Sequence, residues 1–173
     1  MKVLSYKEFR VTDEMLASKS KRLVNYFIDR IVFYLIFAII VFVAVIIAEL
    51  LGSESALQIL YDLENMNPLL DTLITWIIFV IFYCILESLS QRTIGKLITQ
   101  TKVVLENGEK PSFETIIIRS LCRIIPFEPF SFLGDLPKGW HDTLSKTFVV
   151  DIKIFDEHRK AHENYHLIGK EES

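Results

Sequence analysis

Carboxylates inside two apolar runs are the residues of this 173-residue chain whose type and position could do chemistry. Asp29 lies near the start of the first run and Glu87 near the end of the second. An ionised carboxylate in the hydrocarbon region of a bilayer costs at least about 2.5 kcal/mol on insertion scales unless it is paired, protonated or hydrated. These two residues therefore indicate either an ion or proton pathway or a buried cluster of ion pairs.

Helical spacing separates the charges at the start of the first run. Arg22, Asn25 and Asp29 stand at i, i+3 and i+7, which places them on one face of an α-helix. Arg30 points about 100° away from Asp29 on such a helix. We expect the first three side chains to face the protein and the guanidinium of Arg30 to reach the lipid headgroups.

Arg119 and Arg123 lie one helical turn apart and are the available counter-charges for the two carboxylates. An antiparallel helical hairpin would bring Asp29 and Glu87 to similar depth, so we expect these arginines to pair with them. The predicted intramembrane polar cluster consists of Arg22, Asp29, Glu87, Arg119 and Arg123.

A second group of chemically capable side chains follows Gly139. Trp140 suits a membrane interface, and His141 beside Asp142 adds titratable groups. A neighbouring His-Asp pair does not by itself predict catalysis, and no Ser or Cys nucleophile in a recognisable motif accompanies it. No catalytic residue is predicted, and the chain is not expected to be an enzyme.

The elements that position these groups follow from hydropathy. Hydrophobic residues make up 51% of the chain, and its mean hydropathy is +0.34. Residues 31–48 carry no charge and match the roughly 20 apolar residues that span a bilayer. With the run at residues 69–89, this predicts membrane helices at about 23–50 and 69–90. Because 22 polar or mixed residues precede the first helix, we interpret it as an uncleaved membrane helix rather than a signal peptide.

The charge distribution predicts the orientation of this hairpin. Residues 49–71 contain five acidic side chains and no Lys or Arg, whereas basic residues precede the first helix and follow the second. The positive-inside rule then predicts a multi-pass protein of the plasma (inner) membrane with both termini in the cytoplasm.

Two strands and a third apolar segment follow the hairpin. Residues 102–105, before an Asn-Gly turn, and residues 147–152 are predicted strands that pair as a short cytoplasmic clip. Residues 113–125 form a predicted amphipathic helix, begun by Ser112 and stopped by Pro126. Its length and charge favour an interfacial or re-entrant position. The alternative is a third span, which would place the C-terminal lysines and arginines outside.

The predicted fold is thus an all-α membrane protein with a small β clip. It comprises a cytoplasmic N-terminal segment at 1–20, a membrane domain at 21–155 and a polar, loosely ordered cytoplasmic tail at 156–173. Cys84 and Cys122 lie in apolar surroundings and indicate neither a disulfide framework nor a metal site. The sequence has no P-loop, dinucleotide fingerprint or zinc spacing, and we predict no cofactor, metal or nucleic-acid partner.

A series of short motifs resembles the RDD family of small bacterial integral membrane proteins over residues 22–150. In order, these are Arg22 and Asp29, the Thr-Ile-Gly-Lys at 93–96, the Lys-Val-Val at 102–104, Arg119 with Arg123, Gly139-Trp140-His141-Asp142, and the Ser-Lys-Thr at 145–147. The resemblance implies that the arginine and two aspartates of the family name are Arg22, Asp29 and Asp142. The third apolar segment, broken by Pro126 and Pro129, departs from longer-spanning members and argues against a three-helix transporter bundle.

The resemblance implies a membrane protein, but the molecular role of the family is largely undefined. We predict a structural or interaction subunit of a membrane assembly, whose partners are the lipid bilayer and either further copies of itself or another membrane protein. The alternative is cation/proton exchange through Asp29 and Glu87, since some members have been linked to sodium/proton exchange. Two spans cannot enclose a path, so exchange would require an oligomer.

Overall fold

Two long helices dominate the computed structural model, which describes residues 8–134 and 136–171. The helices are α1 (Lys19–Leu50), α2 (Glu54–Glu64), α3 (Pro68–Ser90), α4 (Ile94–Ile98), α5 (Phe113–Cys122), α6 (Trp140–Leu144) and α7 (Ile152–Glu171). The strands are β1 (Thr101–Leu105) and β2 (Thr147–Asp151), and short 3-10 helices lie at Asp13–Met15 and Glu128–Leu133. The structure is therefore mostly helical with a small two-stranded sheet.

Capping side chains set the starts of the hairpin helices. Ser18 accepts a hydrogen bond from the Lys21 amide at 3.3 Å, and Asn67 accepts one from the Leu69 amide at 2.9 Å. Pro68 then occupies the first turn of α3, where a missing N–H is harmless. The two predicted helices are confirmed. The structure adds α2 between them, in a segment for which no helix was predicted.

The predicted strand pairing is also confirmed. β1 and β2 run antiparallel, with Thr101 opposite Asp151 and Leu105 opposite Thr147. This ladder joins the end of the helical hairpin to a segment about 45 residues later in the chain. It holds α5, which comes between the two strands, close to α3, and α6 close to α5.

The sheet is covered by both ends of the chain. Val104 and Val150 pack with Met15 and Phe155 in one buried cluster, and the Ala17 amide donates to the Val149 carbonyl at 2.9 Å. Part of the predicted 1–20 segment therefore packs with the domain that follows it.

A prediction about the tail is wrong: the described residues after 156 continue helix α7 rather than forming a loosely ordered end. The Asp151 side chain accepts from the Lys153 amide at 3.1 Å at the start of this helix. The fully buried Phe155 anchors its first turn to the sheet. The cap and this anchor support the first turn, whose formation is the costly step of helix formation.

The third apolar segment is a short helix followed by turns. Ser112 caps α5 as predicted, accepting from the Thr115 amide at 3.2 Å, and the helix ends at Cys122 before Pro126. Its 10 residues extend only about 15 Å. Among the described residues, two helical segments are long and apolar enough to cross a membrane, and neither includes α5.

The two long helices meet at an aromatic cluster. Phe33 of α1 packs edge-on against Phe79 of α3, with ring centroids 5.1 Å apart, and Tyr83 completes the buried group. The guanidinium of Arg30 lies 4.2 Å from the Phe79 ring centroid and 5.4 Å from that of Tyr26. Arg30 therefore stacks on aromatic rings within the hairpin, where the sequence predicted that it would extend toward headgroups.

Candidate functional site

Glu87, near the end of α3, is the centre of a buried network of charges. Its side chain is fully buried, and its two oxygens accept hydrogen bonds from Lys96 Nζ at 2.9 Å, Arg119 Nε at 2.9 Å and Arg123 Nη2 at 2.8 Å. α3 presents the carboxylate, α4 the lysine, α5 the first arginine, and the residue directly after α5 is the second. The network thus fastens three helices to one another, and three charge-assisted hydrogen bonds satisfy Glu87.

Asp142, in α6, is the second acid of this network. Arg22 and Arg119 both donate to its carboxylate, and the Gly139 amide donates to it at 2.8 Å. Burial would raise the pKa of Asp142, but the nearby guanidinium of Arg22, together with His141 and Arg119, holds that pKa well below its usual range. Arg119 therefore bridges the two buried acids, Glu87 and Asp142.

Asp29 is bound by α4 and not by an arginine. Its carboxylate accepts from Thr93 Oγ1 at 2.6 Å and from the Gly95 amide at 2.7 Å. Both donors lie at the start of α4, where helical amides lack partners within the helix. The prediction that Arg119 or Arg123 pairs with Asp29 is wrong, because the other buried acids take up both guanidiniums.

The predicted polar face of α1 is confirmed. Arg22, Asn25 and Asp29 are all buried on it. The Asn25 amide group lies 2.5 Å from Thr99 Oγ1 and 3.1 Å from Thr101 Oγ1. This face therefore receives α4 and the start of β1 through hydrogen bonds rather than through apolar packing.

His141 links the network to the 3-10 helix at Glu128–Leu133. Its Nδ1 faces the Glu128 carboxylate, and its Nε2 lies 3.4 Å from Arg22 Nη2. Burial lowers the pKa of His141 to about 4, so the ring is neutral at pH 7. A neutral ring fits both contacts when Nδ1–H donates to Glu128 and the Nε2 lone pair accepts from Arg22.

Counting charges shows that the network is balanced. Four acids face four cations while His141 stays neutral. The acids are Asp29, Glu87, Glu128 and Asp142, and the cations are Arg22, Lys96, Arg119 and Arg123. Among the residues that the structure describes, no group of three or more His, Cys, Asp and Glu side chains is placed to hold a metal ion.

The comparison with protein families decides which family the chain belongs to. The model of the RDD family matches residues 16–155, most of the chain. The chain belongs to the RDD family. No significant match to a curated protein or to a solved structure was found.

Within this RDD-family chain, the three residues mapped to the family name play different parts. Arg22 and Asp142 form a buried ion pair that joins α1 to α6, although 120 positions separate them in the sequence. Asp29 binds the start of α4. All three therefore anchor other elements to the hairpin.

Sequence reasoning missed two charged members of the network, Lys96 and Glu128. Lys96 comes nine residues after Glu87, and a continuous helix does not bring residues at this spacing into contact. The turn at Gln91, between α3 and α4, returns the chain so that Lys96 reaches Glu87. The Thr-Ile-Gly-Lys motif was the available signal, since Thr93, Gly95 and Lys96 all contact the buried acids. Trp140 lies apart from the network, with 47% of its surface exposed.

Gly95 of the RDD-family motif is a point of very close approach, and we expect Gly95→Ala to lower the free energy of unfolding by about 1–3 kcal/mol. A Cβ at this position would lie 2.7 Å from the Asn25 carbonyl oxygen and 3.0 Å from Asp29 Oδ1, which is closer than atoms pack. Because the first neighbour is backbone, α4 would have to move away from α1. Thermal unfolding in detergent measures the effect.

Gly134→Ala is the matched control for this substitution. A Cβ there meets only the Ser131 carbonyl, at an ordinary 3.8 Å. Equal melting temperatures for the two variants would contradict the close contact between α4 and α1.

The neutral His141 predicts that stability falls between pH 6.5 and about 4. Because burial lowers its pKa from 6.5 to about 4, the unfolded chain binds a proton in this range that the folded chain does not. The loss reaches about 3 kcal/mol near the lower limit. Unfolding monitored from pH 7 to 4.5 measures this loss of stability, above the pH range in which protonation of carboxylates determines stability.

His141→Gln should flatten the pH profile of stability, whereas His158→Gln, at an exposed position of α7, should leave the profile unchanged. A profile that His141→Gln does not alter would contradict the assignment.

Proposed function

We propose that this RDD-family protein is an integral membrane protein that serves as a structural or interaction subunit of a membrane assembly. The observation that carries the proposal is the exposed apolar surface of the two long helices. In their most apolar 18-residue windows only 11% and 17% of residues are buried within the chain. A core helix of a soluble protein would be mostly buried, so lipid and a partner helix are the surroundings that suit these faces.

The charges support an orientation with the polar network at the cytoplasmic side. The residues between α1 and α3 are acidic, and the basic residues lie at the other ends of these helices. By the positive-inside rule, α2 lies outside and both termini lie in the cytoplasm. The 10-residue α5 then rests at or dips into the inner surface of the bilayer, held there by its arginines.

The charged network supports a structural role, in which it holds the helices together, rather than ion exchange. An exchange site needs a carboxylate that can release its partners and take up an ion. Glu87 has three cationic partners and both oxygens of Asp29 accept short hydrogen bonds. Opening either site would leave buried charges without partners, which is strongly unfavourable. We therefore assign these groups to holding α1, α3, α4, α5 and α6 in one arrangement.

Photocrosslinking in native membranes tests the interaction role. A photoreactive amino acid at Phe42 of α1 or Ile77 of α3, whose side chains are 65% and 58% exposed, should yield a discrete product of higher mass. The same group at Phe33, only 3% exposed, is the control and should crosslink within the chain. Mass spectrometry identifies the partner as a second copy or another membrane protein. Crosslinks to lipid alone at both exposed sites would contradict the proposal.

A flux assay separates this proposal from exchange. Liposomes that contain the purified protein and a pH-sensitive dye should show no sodium- or potassium-driven proton movement above empty vesicles. Flux that Asp29→Asn abolishes, at equal insertion, would favour exchange instead.

Cysteine labelling at the exposed positions Ser55 and Lys153, in a background without Cys84 and Cys122, reports the topology. We expect labelling from outside at Ser55 only.

A further inference from the structure

A cavity of about 30 Å³ lies inside the polar network. Helices α1, α3, α4, α5 and α6, strand β2 and the 3-10 helix at Glu128–Leu133 contribute its walls. A space of this size holds one or two water molecules or one monatomic ion, since a water needs about 10–15 Å³ on this measure. It is too small for a tetrahedral oxyanion with its four oxygens.

The wall of this cavity is positively charged although the whole network is neutral. Its charged lining residues are Arg22, Lys96, Arg119, Arg123, Asp29 and Glu128. The other two acids, Glu87 and Asp142, pair with the arginines but do not line the cavity. The lining therefore carries four positive and two negative charges.

Three donors on these arginines have no hydrogen-bond partner within the described protein. They are Arg22 Nε, Arg119 Nη2 and Arg123 Nε. Arg22 is 5% exposed, Arg119 is fully buried and the Arg123 side chain is 12% exposed, but all three donor atoms are themselves buried, so bulk water does not reach them. A guanidinium can only donate, and a buried donor without an acceptor is costly. The missing partner must therefore offer lone pairs.

The acids on the wall do not supply that partner. Both oxygens of Asp29 accept from α4, Glu128 Oε1 faces His141, and neither carboxylate forms a hydrogen bond with Arg22 Nε, Arg119 Nη2 or Arg123 Nε. An electron-rich ligand from solution is left as the acceptor, and the excess positive charge favours an anion over water in a site of low dielectric. We propose that this cavity binds one monovalent anion of the size of chloride. The site adds a ligand to the bracing network and does not depend on the proposed partner.

Anion replacement tests the proposal on the purified full chain. In detergent at constant ionic strength, exchanging gluconate for chloride should raise the melting temperature and the rise should saturate with chloride concentration, as binding to the folded state alone requires. Sulfate should not replace chloride, and equilibrium dialysis with radiolabelled chloride should give about one ion per chain. Equal melting temperatures in chloride and gluconate, without saturable uptake, would overturn the proposal and leave water as the occupant.

Arg22→Lys is the diagnostic variant. Lysine keeps the charge that pairs with Asp142 but lacks the unpartnered Nε donor, so chloride affinity should fall about tenfold or more, as for loss of a hydrogen bond to a charged group. Arg10→Lys, at an exposed site outside the cavity, should bind chloride like the parent.

Val149→Ile gives a second route should Arg22→Lys fail to fold. Val149 lines the cavity, and an added methylene fills part of it without removing a charge. We expect the chloride-dependent rise in melting temperature to disappear. Unchanged chloride affinity in a folded variant of either kind would exclude this cavity as the site.

Discussion

Glu87→Gln should lower the free energy of unfolding by about 3–5 kcal/mol, the range for removing one partner of a buried ion pair. The carboxylate is fully buried and binds Lys96, Arg119 and Arg123 at 2.8–2.9 Å. A glutamine carbonyl keeps one acceptor but removes the charge, and its NH₂ group points donors at cations. The cost is therefore that Lys96 and Arg123 lose their paired carboxylate and Arg119 keeps only Asp142, in addition to the loss of hydrogen bonds. Denaturant unfolding in micelles, followed by tryptophan fluorescence, measures it.

Asp71→Asn is the matched control on the same helix. Asp71 lies exposed in the first turn of α3, far from the network, so its substitution should change stability by no more than about 0.5 kcal/mol. If Glu87→Gln is as mild as this control, the carboxylate does not hold the helices together.

Asp142→Asn should be nearly as damaging, again about 3–5 kcal/mol. Arg22 and Arg119 both donate to this carboxylate, and asparagine would leave two buried guanidiniums facing a neutral amide. The substitution detaches α1 from α6, so proteolysis between α5 and β2 should also become faster than in the parent. Unfolding and limited proteolysis measure the two effects.

Asp151→Asn provides the comparison for Asp142→Asn. Asp151 also pairs with a cation, Lys21 at 2.5 Å, but the Lys21 side chain is 38% exposed. Solvent screens such a pair, and we expect a loss of no more than about 1 kcal/mol. Similar losses for the two aspartates would contradict the view that burial makes the inner pair indispensable.

The sequence predicted the parts of the fold that hydropathy and turn chemistry determine. The two long helices, the strand pair and the Ser112 start of α5 all have local signals in residue type and spacing. α2 and α7 were missed because each begins at a capping side chain inside a segment whose overall composition suggests an acidic loop or a polar tail.

Most members of the site were predicted, but Lys96 and Glu128 were missed, and the pairing of acids with cations was not predicted correctly. Helical periodicity brought Arg22 and Asp29 to one face, and burial then required counter-charges for the acids. Which cation meets which acid depends on the turn after α3, which returns Lys96 to Glu87 and delivers the α4 amides to Asp29. Gln91 in this turn adopts the left-handed conformation, with φ of 60°. Glutamine is not a residue type that predicts this conformation.

The connectivity of the network also fixes the order in which its charges are neutralised as the chain leaves the ribosome. Glu87 receives its first counter-charge only nine residues later, from Lys96, and its second from Arg119 after 32. Arg22 is the first residue of the network to be synthesised, and its partner Asp142 follows 120 residues later. During synthesis, α1 therefore carries an unneutralised guanidinium until α6 has been made. A nascent chain stopped before residue 142 cannot complete the network, so the last fifth of the chain controls when the first helix reaches its final packing.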